Sequence, residues 1–96
     1  MDSLLYQLQA WYHTQCINNW HAVKGIDIRS TDKPGWDVEI DVLDTPLENK
    51  LFVPRKQIIN NTDWVQCWVD ENIFYGSGDP GKLTVILEVF FQWIDE

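Results

Sequence analysis

The sequence predicts an α+β fold, with N-terminal and C-terminal helices packed on an antiparallel sheet of four to five strands. Three observations carry this. Apolar residues recur at helical spacing in residues 3–18 and 83–94. Residues 36–42 alternate without a break, with Trp36, Val38, Ile40 and Val42 on one face and Asp37, Glu39 and Asp41 on the other. Residues 63–70 alternate as well, but both of their faces are largely apolar. A period of two marks a strand, and a polar second face marks one half-exposed in an antiparallel sheet.

In the first helix, Leu4, Leu5, Leu8, Trp11 and Tyr12 form the apolar stripe, opposite Gln7, Gln9, Thr14 and Gln15. Ser3 suits its N-cap. No residue from 3 to 18 carries a full charge, which is unusual for a solvated helix and points to cover on more than one side. Residues 23–30 read as a strand with Ile26 and Ile28 opposite Asp27 and Arg29. Asp32-Lys33-Pro34-Gly35 then predicts a type II turn, joining this strand to 36–42 in a hairpin. Residues 50–56 form a weaker strand, which Pro54 confines to an edge or an end, and 58–62 either extend it or loop. The doubly apolar 63–70 is placed centrally, followed by a short strand at 73–75. Gly76-Ser77-Gly78-Asp79-Pro80-Gly81 is read as a loop. Asp79 then caps, and Pro80 opens, a helix whose stripe is Leu83, Ile86, Leu87, Phe90 and Ile94.

The chain has 96 residues and is expected to form one domain over 1–96. Area scaling lets a chain of this size bury about 65% of its unfolded surface, enough for a core without metal or disulfide staples. Six Trp, three Tyr and four Phe argue against disorder. A net charge of −8 argues against nucleic-acid and anionic-membrane partners, both of which select Lys and Arg. Asp2 stands where a signal peptide would be basic, and Gln7 and Gln9 interrupt the early leucines. The expectation is a cytoplasmic protein with reduced Cys16 and Cys67, in which the sequon Asn60-Asn61-Thr62 has no role.

Few residues offer chemistry. GSGDPGKL at 76–83 misses a phosphate-binding loop at Leu83, which replaces the metal-holding hydroxyl, and Asp79 places a carboxylate where phosphates would sit. His13 and Cys16, with Cys67 or His21, lack zinc-like spacing and an assembled nucleophile pair. No cofactor is expected. Asp37, Glu39 and Asp41, with Asp27 beside them, are either a solvated strand face or a docking surface for a basic partner that relieves their mutual repulsion. Trp64 and Trp68 share a strand face and are either covered by a helix or exposed as an interface anchor.

A family resemblance runs through the chain in order. It is carried by Trp11-Tyr12, Gln15-Cys16, Trp20, Gly25-Ile26, Ile28, Thr31-Asp32, Pro34-Gly35-Trp36, Ile40-Asp41, Thr45 and Leu47. It continues through Asp63-Trp64, Cys67, Phe74, Gly76, Gly78, Pro80, Leu83, Ile86-Leu87, Phe91 and Trp93. These residues resemble bacterial immunity protein 53. Two places depart from the family's habit. Trp20-His21-Ala22 stands where relatives tend to read Trp-Glu-His, and Thr31-Asp32-Lys33 precedes the Pro-Gly-Trp element where they favour Leu-Asp-Asn.

The resemblance implies a non-catalytic protein that binds and neutralises a cognate polymorphic toxin domain in the producing bacterium. On that reading Asp37, Glu39, Asp41, Trp64 and Trp68 are the candidate partner-binding residues. The alternatives are a small oligomeric or structural module, raised by the uncharged first helix, and a small enzyme using His13 and Cys16.

Overall fold

A computed structural model describes residues 3–18 and 25–96. The expected roles of Trp20, His21, Ala22 and the start of the 23–30 strand lie outside the described residues. The elements run α1 (Leu4–Asn18), β1 (Ile26–Thr31), β2 (Gly35–Asp41), β3 (Arg55–Asn60), β4 (Asp63–Asp70), β5 (Ile73–Gly78) and α2 (Leu83–Asp95). All neighbouring strands pair antiparallel, in the order β1-β2-β5-β4-β3. The result is the expected α+β arrangement of two helices and a five-stranded antiparallel sheet.

One sheet face forms the core. Val38 and Ile40 of β2, Val65 and Cys67 of β4, and Phe74 of β5 are buried against Ile86, Leu87, Phe90 and Trp93 of α2. Aromatic rings meet edge to face there, with Phe90 5.1 Å from both Trp11 and Phe74 and Phe52 5.3 Å from Trp93. Such pairs are worth about 0.5–1.5 kcal/mol each beyond the area they bury. Trp93 satisfies its indole by donating Nε1–H to the Leu51 carbonyl at 2.9 Å. Lys50 Nζ donates to the Trp93 and Glu96 carbonyls at 2.8 and 2.7 Å, capping the open C-terminal end of α2.

Several expectations need correction. Gly76-Ser77-Gly78 is strand, not loop, so β5 is the middle strand of the sheet. The glycines serve close approach, because a Cβ at Gly76 would run into the Ile86 side chain and one at Gly78 would lie 2.7 Å from Lys82 Cβ. Asp79 does not cap α2. The helix starts after Lys82, because the Asp79 carboxylate is already occupied by the Trp64 and Gly81 N–H groups and by Lys82.

The β1–β2 hairpin is present, but its turn is not type II. The Lys33–Pro34 peptide is cis and Gly35 already belongs to β2, where the Gly78 carbonyl leaves no room for a Cβ. The third strand begins after Pro54 rather than at residue 50, since Pro cannot donate to the ladder. On α1 the inward face is Leu4, Leu8, Trp11 and Gln15, while Leu5 and Tyr12 point outward. Ser3 does act as the cap, its Oγ accepting the Tyr6 N–H at 3.1 Å.

Candidate functional site

Strand alternation decides what the second sheet face carries. With Val38, Ile40, Val65, Cys67 and Phe74 turned towards α2, their neighbours turn the other way. The register then lines up rows across four strands. Arg29 of β1 lies beside Asp37, then Ser77, then Gln66. The next row runs Asp27, Glu39, Tyr75, Trp68. The third brings Asp41, Ile73 and Asp70 together. At the far corner Ile58 of β3 pairs with Trp64. All five predicted residues, Asp37, Glu39, Asp41, Trp64 and Trp68, therefore share one face, opposite the helices.

Of the two readings of the tryptophans, cover by a helix is not what the described residues show. α2 packs on β4 and β5 from the other side, and α1 packs on α2. Trp68 is 36% exposed and lies flat on Tyr75, with ring centroids 5.3 Å apart and planes 14° from parallel. Trp64 is half-buried beside Ile58, Lys33 and Pro34. A groove of about 310 Å³ crosses the middle of the face, lined by Arg29, Asp37, Glu39, Gln66, Trp68 and Tyr75 among others.

The acidic row is partly neutralised from within. Arg29 Nη1 lies 3.0 Å from both Asp27 and Glu39, and its Nη2 lies 3.7 Å from Asp37. Asp37 also accepts the Ser77 hydroxyl at 2.9 Å. Asp41 accepts only the Leu43 N–H among the hydrogen bonds of its side chain, and no ion pair reaches it, Asp70 or Glu71 among the described residues. The Tyr75 phenol is pushed above its ordinary value, first by burial and then by the carboxylates of Glu39, Asp70, Glu71 and Asp41.

Tyr75, Asp70 and Arg29 belong to this face, yet sequence reasoning did not attach them to it. Alternation shows which residues of one strand share a face. The two-residue turn Glu71-Asn72 joins β4 to β5, but no short-range signal in the sequence encodes the pairing of β5 with β2.

The remaining candidates lie elsewhere. Cys67 is buried under α2, and burial pushes its thiol up to about 11, the opposite of what a nucleophile needs. His13 and Cys16 line a groove on α1 with Gln9 and Tyr12. The Tyr12 phenol is pushed up chiefly by its hydrogen bond with Cys16. Among the described residues no group of three His, Cys, Asp or Glu is placed to hold a metal ion. In the 76–83 segment, Lys82 is held by Asp79 at 2.7 Å and Asp63 at 2.8 Å. Lys82, together with the Trp64 and Gly81 N–H groups, depresses Asp79 to about 2. The lysine and carboxylate that would face a phosphate are thus spent on holding the turn between β5 and α2.

Helices on one face and, on the other, a charged, aromatic-centred face that neither described helix covers define a two-layer α+β protein. The sequence pattern of the Immunity protein 53 family matches residues 5–95, nearly the whole chain, and the chain belongs to that family. Membership places it among the immunity proteins of toxin systems and implies a toxin as partner and a non-enzymatic role. No curated protein and no solved structure matches it. No described helix is long and apolar enough to cross a membrane.

Proposed function

We propose that the chain acts as one immunity domain, binding and neutralising a cognate polymorphic toxin domain in the cytoplasm of the producing bacterium. Family membership over residues 5–95 is the observation that carries this reading. The docking surface is the open sheet face bearing Asp37, Glu39, Asp41, Trp64 and Trp68. Its chemistry supports the choice. A chain of net charge −8 attracts a basic partner over a distance, which raises the association rate, and an exposed aromatic supplies apolar contact once the partner has arrived. Neutralisation then follows from occupancy, with no reaction required of the immunity protein.

The test is co-expression of the toxin domain encoded beside this chain, with and without it. Growth restored by the chain, together with a stable complex of the two purified proteins, is the expected result. Toxicity undiminished by well-expressed, folded chain would remove the assignment for that pair.

A further inference from the structure

We propose that the open face receives one cationic side chain of the toxin, an arginine or lysine, over Trp68 at the β4–β5 end, and not along the Asp37 end. This deepens the immunity reading and rests on it for the identity of the partner.

The two ends differ in how far their charges are already satisfied. At the β1 end Arg29 sits among Asp27, Glu39 and Asp37, and Ser77 takes a further lone pair of Asp37. An incoming cation there would meet a resident guanidinium. At the other end no ion pair reaches Asp41, Asp70 or Glu71 among the described residues. One row along from Asp41 and Asp70 lies the Trp68–Tyr75 stack, and Trp68 is open to solvent.

Indole is the strongest of the aromatic faces for a cation held within about 6 Å of its centroid. Asp70 lies two residues along β4, about 7 Å from Trp68, on the same face. A guanidinium resting on the indole can therefore turn its outer N–H groups towards carboxylate. Among the described residues this end sets the Trp68 ring near carboxylates that no ion pair reaches, so a cationic side chain is its occupant rather than an acidic or a purely apolar one.

The test uses the full chain and two probes, a fluorescently labelled octa-arginine peptide followed by anisotropy and the adjacent toxin domain followed by growth rescue. Trp68→Ala is expected to weaken peptide binding by about threefold or more, and Trp68→Phe to recover part of the loss. Asp70→Asn with Glu71→Gln should weaken it comparably, and Asp27→Asn should not. Arg29→Gln, by releasing Asp37 and Glu39, should tighten binding more than the charge-matched Arg55→Gln on the helix-facing side of β3.

Unchanged binding by both Trp68→Ala and the Asp70/Glu71 pair, or equal loss in Asp27→Asn, would overturn the proposal. Should Trp68→Ala not fold, the Asp70 and Glu71 variants still decide it. If the parent chain restores growth while the peptide ordering is reversed, the subsite is wrong and the immunity reading stands. If the ordering holds and the toxin is not neutralised, the assignment falls for that pair and the cation subsite stands.

Discussion

Gly76→Ala is a direct check on which sheet face is covered. A Cβ built at Gly76 would penetrate the side chain of Ile86, itself fully buried. Forcing one extra methyl into a packed core costs about 1–3 kcal/mol. Loss of glycine's freedom in the unfolded chain returns about 0.4–1 kcal/mol. Because the overlap involves the branched end of Ile86 at its Cβ, no rotation of a flexible tip relieves it, and the upper part of the range applies. The net expectation is a destabilisation of about 2 kcal/mol, a fall in melting temperature of about 8–15 °C for a domain of this size.

Ile86→Ala alone leaves a cavity worth about 2–5 kcal/mol. The methyl introduced by Gly76→Ala partly fills that cavity, so the double variant should be more stable than the sum of the singles predicts, by about 1–2 kcal/mol. Urea unfolding of the four proteins measures both quantities. Gly76→Ala within about 0.5 kcal/mol of the parent, with strict additivity in the double variant, would refute the packing of α2 on β5. The assignment of the open face would fall with it.

Other outcomes follow from single groups. Asp79, held near 2 in the folded protein against an ordinary 3.8, stabilises above the higher value, and this is lost as pH falls through the lower one. Asp79→Asn should therefore flatten the fall in urea midpoint below pH 4, and an unaltered acid limb would count against the Lys82, Trp64 and Gly81 contacts. The Cys67 thiol, raised from 9.0 to about 11, favours the fold below the lower value, and this is lost as pH rises through the higher one. In native protein at neutral pH, a thiol reagent should label Cys16 well before Cys67, and equal rates would contradict the burial of Cys67 under α2. Trp93→Phe removes the donor to the Leu51 carbonyl and should cost about 1–3 kcal/mol in urea unfolding.

Much of the fold was legible because alternation and helical spacing are local. Trp36 to Val42 fix β2, and the Leu83-to-Ile94 stripe fixes α2, without reference to anything else. What escaped depended on contacts between elements. Gly76 and Gly78 look like a loop until Ile86 and Lys82 are placed above them. The capping signal at Asp79-Pro80 fails because Trp64 and Lys82, one of them distant in sequence, take the carboxylate first. On α1, Gln15 is buried and Leu5 exposed, against their chemistry, so the apolar stripe alone misplaces the inward face.

For the candidate site, Asp37, Glu39 and Asp41 could be grouped from one strand, and so could Trp64 and Trp68 from another. That both groups share a face follows only from the register of β5 between them. The partial neutralisation of the row by Arg29 follows from the pairing of β1 with β2, which a hairpin predicts in outline but not in register.

The claim that the open sheet face receives the toxin is tested most directly by the indole N–H resonances of the chain as the adjacent toxin domain is added. Trp68 and Trp64 are expected to shift or broaden. Trp36 and Trp93, whose indoles are bonded to the Pro80 and Leu51 carbonyls, should stay in place. A complex in which Trp68 and Trp64 are unmoved, while Trp11 at the junction of α1 and α2 responds, would put the interface on the helical side and contradict this placement.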